Sequence, residues 1–114
     1  MKVPPLILYK LFGMILYNVT VAVDKAVEDE WKLWMKSVHM PEVLGTGYFV
    51  EAKLFRVMYA DDPESSSYSC QYFAKSLSDF EVYMKKDAPA LQQKHLAKFP
   101  NRVAAFRTLL ESVD

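Results

Sequence analysis

The sequence predicts a single α+β domain with two helices on one face of a four-stranded antiparallel sheet. Three observations predict this class. Four segments are rich in β-branched and aromatic residues. Two segments with helical spacing separate the first strand from the second and the third from the fourth, and a short polar linker joins the second and third strands. The order β-α-β-β-α-β is the ferredoxin-like split βαβ arrangement, whose right-handed crossovers place both helices on the same face.

The first strand and helix are predicted within residues 14–39. The segment MILYNVTVAV alternates with period two, and Asp24 can cap the helix that follows. The apolar face of this helix carries Val27, Trp31, Trp34, Met35 and Val38. We expect the helix to end near His39, because Pro41 disfavours helical geometry in the residue before it. Residues 41–44 could add one short turn, closed by Gly45 and Gly47.

The second and third strands are predicted as a hairpin. Residues 48–60 and 68–74 are both strand-like, and the polar linker between them contains Pro63. Residues this close along the chain pair readily as neighbouring antiparallel strands. The hairpin therefore forms the middle of the predicted order.

The second helix and the fourth strand complete the domain. Ser76 or Ser78 can cap the helix, and Asp87-Ala88-Pro89 predicts that it breaks and restarts. Residues 103–112 form the last strand.

Charge and cysteine content narrow the function classes. The chain has 14 basic and 14 acidic residues, so it lacks the excess of positive charge that nucleic-acid binding needs. Cys70 is the only cysteine, which excludes an internal disulfide and a CxxC site and makes the cytoplasm the simplest location. The sequence has no apolar run of about 20 residues that could span a bilayer.

Residues 1–13 are interpreted as an extension from an upstream start, with Met14 as the natural first residue and residues 14–114 as the domain. An arm that packs on the domain is the alternative. The apolar stretch after Pro4-Pro5 is too short for a signal peptide and is interrupted by Lys10.

The strands carry a second set of apolar residues, opposite those expected to face the helices. Its members are Leu16, Leu54, Met58, Phe73, Phe106 and Leu110. A bare apolar face of this kind usually marks an interface. We expect two chains to stack sheet on sheet as a homodimer, with coverage by residues 1–13 as the alternative.

His39 and His95 are the candidate catalytic residues. His39 falls at the end of the first helix, where a histidine commonly meets the last carbonyl groups. His95 lies on an apolar stripe between Leu91 and Phe99, where a histidine is often a satisfied core residue. Two histidines without a third ligand do not predict a catalytic zinc site, and neither a metal nor a cofactor is expected.

Other polar and aromatic residues are candidates for ligand binding. Arg107 stands among apolar residues of the last strand, where it needs an ion pair, for example with Glu51 or Glu81, or an anionic ligand. The remaining candidates are aromatic or polar side chains on the strands and the first helix: Tyr17, Trp31, Trp34, Gln71 and Tyr72.

From Met14 onward, the chain resembles a family of small uncharacterised bacterial proteins, a domain of unknown function. The resemblance is carried by MILYNVTV, EWKLWMKSVHMPEVLGTG, QYF, YMKKDAPALQQKH and RVAAFRTLLE. It implies a relation to the dimeric α+β barrel group, which includes cofactor-independent monooxygenases, haem-degrading enzymes and proteins that only bind small ligands. The motif-like positions are His39, Pro41, Glu42, Gln71, Tyr72, His95, Phe106 and Arg107.

Three functions remain open. A dimeric binder of a small apolar or aromatic ligand is the first hypothesis. The second is a cofactor-independent monooxygenase or isomerase with a histidine base. A structural module that only self-associates is the third. By analogy with the barrel group, His95 could also be an axial haem ligand.

Overall fold

A computed structural model describes residues 13–60 and 62–113, and it confirms the predicted α+β class. The interpretation of the N-terminal extension concerns residues that lie, apart from Gly13, outside this description. The strands are β1 (Ile15–Asp24), β2 (Phe49–Arg56), β3 (Ser65–Ala74) and β4 (Val103–Glu111). The helices are α1 (Glu28–Trp34), α2 (Met40–Gly45), α3 (Leu77–Lys86) and α4 (Ala88–Lys98). A 3-10 turn (Lys25–Val27) precedes α1, and a π-helical turn (Met35–His39) joins α1 to α2.

The four strands form one antiparallel sheet in the order β2-β3-β1-β4. Val19 in the middle of β1 is opposite Cys70 of β3 on one side and Arg107 of β4 on the other. Residues directly opposite each other in antiparallel strands share a face of the sheet. Arg107 therefore belongs to the same face as Val19 and Cys70, which is the face that packs against the helices.

The core lies between the helices and the two central strands. Trp31, Met35 and Val43 of the first helical region are fully buried against the sheet. From the two central strands, the buried residues are Tyr17, Val21, Val23, Tyr68, Cys70, Tyr72 and Ala74. Burying a large apolar side chain contributes about 1.5–3 kcal/mol, so this alternating face of β1 and β3 supplies much of the driving force for folding.

The course of β2 differs from the predicted alternation. A bulge between Phe49 and Glu51 shifts the register, so Leu54 is opposite Cys70 on the helix side of the sheet. A bulge places one extra residue on one strand, and every later side chain changes face. The expectation that Leu54 belongs to the second apolar set was therefore wrong. Met58 lies beyond the end of β2 and does not belong to the set either.

The other four residues of that set belong to the face of the sheet opposite the helices. Leu16 is opposite both Phe73 and Leu110, and Phe106 is opposite Thr20. Phe106 and Leu110 are exposed. We call the surface formed by the exposed Phe106 and Leu110 the open apolar face.

The first helical region continues beyond the predicted end near His39. The N–H of Met40 donates to the carbonyl of Met35, five residues earlier, and Pro41 lies in the first turn of α2. The wider π turn lets the chain keep helical dihedral angles at Met40, where the proline was expected to stop it. Gly47, with a φ of +88°, then turns the chain toward β2.

The second helical region follows the prediction more closely. Ser76 accepts a hydrogen bond from the Asp79 N–H and caps α3, and the chain breaks at Asp87 before α4 starts with Pro89 in its first turn. No helix in residues 13–60 and 62–113 is long and apolar enough to cross a membrane.

Candidate functional site

A cavity lies between the helices and the sheet, close to the middle of β1. Its enclosed space is about 20 Å³, and the cavity with its mouth spans about 370 Å³. The enclosed part has room for about one water molecule. Its walls are mainly aromatic and aliphatic, with a few polar groups: Tyr17, Val19, Val21, Met35, His39, Val43, Cys70, Tyr72, Tyr83, Leu91, Gln92, His95 and Arg107.

His39 is the last residue of the π turn, which directs it into the molecule. It is only 8% exposed, and its Nδ1 has no hydrogen-bond partner among the described atoms. The indole of Trp34 stacks on the imidazole, with 5.0 Å between ring centroids and 20° between planes. A buried polar atom without a partner is costly and rare, so a water or a ligand group in the adjoining cavity is its natural partner.

His95 extends from α4 toward the same place. Its Nε2 accepts a hydrogen bond from the Trp31 indole N–H at 2.9 Å. A neutral imidazole has one donor and one acceptor nitrogen, so this contact assigns the proton to Nδ1. The centroids of the His39 and His95 rings are 5.3 Å apart, and Trp34 also stacks on His95. The two tryptophans thus fix the orientation of both imidazoles.

Both imidazoles are uncharged near neutral pH. Burial lowers the pKa of His39 to about 4, with a smaller opposing effect from Glu42. Burial also lowers the pKa of His95 to about 4, and the nearby His39 and Arg107 add to the effect. Since the charged form is disfavoured by loss of hydration, both rings act as hydrogen-bond donors and acceptors rather than cations.

Arg107 lies at the mouth of the cavity, on the edge strand. Its Nε donates to the Tyr17 hydroxyl at 3.0 Å. None of the ion pairs of the described residues involves Arg107, so the expected pairing with Glu51 or Glu81 is absent there. Glu51 is on the opposite face of the sheet and near the opposite edge. The side chain is exposed rather than buried, because β4 is an edge strand and the helices make their main contacts with the other three strands.

Tyr17 and Tyr72 also line the cavity from neighbouring strands. Burial raises the pKa of the Tyr17 hydroxyl, and the Arg107 charge partly opposes this. The pKa of Tyr72 is raised well above its usual range by burial. Both phenols therefore keep their protons at neutral pH and present uncharged hydroxyl groups.

Five of the eight sequence-predicted site residues meet at this cavity: Tyr17, His39, Tyr72, His95 and Arg107. Trp31 and Trp34 contact the histidines without lining the cavity. Gln71 lies elsewhere, because strand alternation directs it to the other face, where it donates to Ser69. Gln71, expected among the ligand-binding residues, therefore does not line this cavity.

Sequence reasoning did not include Gln92 and Tyr83 among the site residues, although both line the cavity. Gln92 precedes His95 by three residues, so the two share a face of α4. That spacing was visible in the sequence. In residues 13–60 and 62–113, no three His, Cys, Asp or Glu side chains come together as metal ligands.

Solved structures share this fold at low sequence identity. SnoaB of Streptomyces nogalater, a cofactor-independent oxygenase, is 12% identical with a TM-score of 0.64, covering 88% of this chain and 94% of its own. A dimeric ferredoxin-like protein from an uncultured marine organism is 15% identical, with a TM-score of 0.63 and coverages of 90% and 97%. A protein of the ethyl tert-butyl ether d family from Bacillus halodurans is 12% identical, with a TM-score of 0.59 and coverages of 88% and 98%.

These likenesses establish the ferredoxin-like fold and leave the chemistry open, because one fold supports many functions. No curated protein matches the chain significantly. The profile of one family, described as a domain of unknown function (DUF4286), matches residues 14–113. The chain therefore belongs to the DUF4286 family.

Proposed function

We propose that this protein binds a small apolar or aromatic molecule that carries a hydrogen-bonding group, in the cavity between the helices and the sheet. The observation that supports the proposal is the unpartnered Nδ1 of His39, buried beside a cavity with aromatic walls. Ligand sites commonly combine an apolar lining with a few convergent polar groups. A hydroxyl or carbonyl group of the ligand would satisfy the imidazole.

The size of the cavity limits how the ligand enters. The enclosed space takes about one water molecule, so only a polar end group fits inside without side-chain movement. The body of the ligand would occupy the mouth beside β4, where the helices leave the sheet uncovered. This arrangement favours a small ligand over a large enclosed cofactor.

An enzyme of the cofactor-independent monooxygenase or isomerase type is the second candidate. The fold likeness to a cofactor-independent oxygenase and the two buried histidines favour it. A general base works best when its pKa is near the working pH, and a pKa of about 4 makes a weak base. A substrate would have to raise that pKa on binding, and for this reason binding is the primary proposal.

The open apolar face supports a homodimer. Phe106 is 63% exposed there, and Leu110 and Phe106 belong to the edge strand β4. Stacking two such faces would remove the apolar surface from water, and one structure with the same fold is described as dimeric. Self-association is compatible with binding, because the cavity lies on the other side of the sheet.

The test is native mass spectrometry of the protein purified from its own host, followed by nitrogen NMR of the imidazoles with a panel of small aromatic compounds. We expect a dimer with a retained small molecule, and compounds that shift the His39 Nδ1 resonance. The matched control is His39→Phe, which keeps the ring stacking but removes the polar atom. A clean dimer, with no compound shifting His39, would leave self-association as the better explanation.

A further inference from the structure

Two apolar side chains of β4 flank Arg107, the residue of this strand that lines the cavity. Ala105 is opposite Val21 and Leu109 is opposite Tyr17, so both belong to the helix-facing side of the sheet. Val21 and Tyr17 are buried, but Ala105 and Leu109 are exposed. Arg107 lies between them in the same row, so an exposed apolar side chain stands on each side of the guanidinium along the strand.

The guanidinium has a fixed position and spare donors. Its Nε is held by the Tyr17 hydroxyl, which leaves the N–H groups of both Nη atoms for another partner. The polar groups that line the cavity around it, namely His39, His95, Gln92 and the tyrosines, are uncharged near neutral pH. No carboxylate of the described residues lies within ion-pairing distance.

We infer that the ligand is a small aromatic carboxylate, whose carboxylate group pairs with the Nη atoms of Arg107 while a hydroxyl at its other end reaches His39. This inference rests on the proposed binding function and adds the charge class of the ligand. The planar fork of an arginine matches a carboxylate in a two-point contact, and the exposed Leu109 beside it suits an aromatic ring. A cation would be repelled from the same place.

The experiment compares two ligands of the same shape and different charge. Binding of 4-hydroxybenzoate and of 4-hydroxybenzamide to the full chain is measured by calorimetry and by NMR at neutral pH. We expect the carboxylate to bind at least tenfold more tightly than the amide. Arg107→Gln should remove this preference, because a glutamine side chain carries no charge, and Arg107→Lys should retain only part of it, because an ammonium cannot make the two-point contact.

Arg56→Gln is the matched control, since it removes an exposed arginine at the end of β2, on the other edge of the sheet. Its preference for the carboxylate should equal that of the wild type. Equal binding of the two ligands, or a preference that survives in Arg107→Gln, would overturn the carboxylate inference. In that case a loss of binding in His39→Phe would still support the proposed function. Absence of binding by both ligands would also overturn the inference, and the compound panel described above would decide the proposed function separately.

Discussion

β3 and β4 both pair with β1 along most of its length, yet their helix-facing side chains are buried to very different extents. Tyr17 of β1 has Tyr72 of β3 on one side and Leu109 of β4 on the other, in the same row of the same face. Tyr72 is 2% exposed and Leu109 is 44% exposed. The helices therefore cover β3 on this face of the sheet. They leave β4 exposed beside the mouth of the cavity. Stability is concentrated on the β3 side, and the β4 side is free to serve binding and association.

The largest expected effect comes from truncating this pair of residues. Tyr72→Ala should lower the free energy of unfolding by about 3–5 kcal/mol, because it removes a fully buried aromatic ring and leaves a cavity. Leu109→Ala should cost less than about 1 kcal/mol, since the side chain is largely in water already. Urea unfolding of both variants measures the difference. Equal costs would show that β4 is covered in solution by a part of the protein or by a partner chain.

The buried histidines of the covered side predict a loss of stability in mild acid. Their pKa is about 4 in the folded protein and about 6.5 in an unfolded chain, so the unfolded state binds more protons between these values. The stabilisation is complete above pH 6.5 and is lost as the pH falls toward 4. Between pH 7.5 and 5.0 we expect the two residues together to lower the free energy of unfolding by at most about 4 kcal/mol.

Urea unfolding at pH 7.5, 6.0 and 5.0 checks this dependence, because most carboxyl groups titrate below that range. His39→Phe is the comparison, and its stability should fall less over the same interval. A free energy of unfolding that stays constant from pH 7.5 to 5.0 would contradict the burial of both imidazoles.

The two faces of β4 allow a test of association. Phe106→Gln should weaken the proposed dimer by about 2 kcal/mol, or roughly thirtyfold in dissociation constant, if this ring is a central contact. Leu109→Gln lies on the same strand but on the helix side, so it should leave the dimer intact. Light scattering over a range of concentrations distinguishes them. A monomeric wild type would refute the dimer, and equal weakening by both changes would place the contact along the strand edge.

The covered half of the molecule was the more predictable half. Period-two alternation correctly directed Tyr17 and Tyr72 to one face, and the same rule applied across strands would have excluded Gln71 from it. The bulge that puts Leu54 on the helix side of the sheet depends on local pairing between β2 and β3. No pattern of residues in the sequence predicted this bulge. The π turn that buries His39 likewise depends on shifted backbone pairing, seen where the Met40 N–H donates to the Met35 carbonyl.

The open half was harder to predict, because it depends on where the helices stop. Arg107 looked buried in the sequence, since its neighbours along β4 are apolar. Its exposure follows from the edge position of β4, because the helices make their main contacts with β1, β2 and β3. The spacing of apolar residues within one strand does not show whether a helix covers that strand. For this reason Arg107 was expected to be buried and to need an ion pair.

The smallest expected effect concerns the hydrogen bond between Arg107 of β4 and the buried Tyr17 of β1. Tyr17→Phe removes the hydroxyl that accepts from Arg107 Nε, and we expect it to cost less than about 1 kcal/mol, because water can replace the lost partner at an exposed guanidinium. The phenyl ring stays packed against Phe80, at 5.1 Å between centroids. Urea unfolding measures the cost, and NMR of the Arg107 Nε–H should show faster exchange with solvent. A cost of 2 kcal/mol or more would mean that the hydroxyl is shielded from water, and that the mouth beside β4 is closed in the unliganded protein.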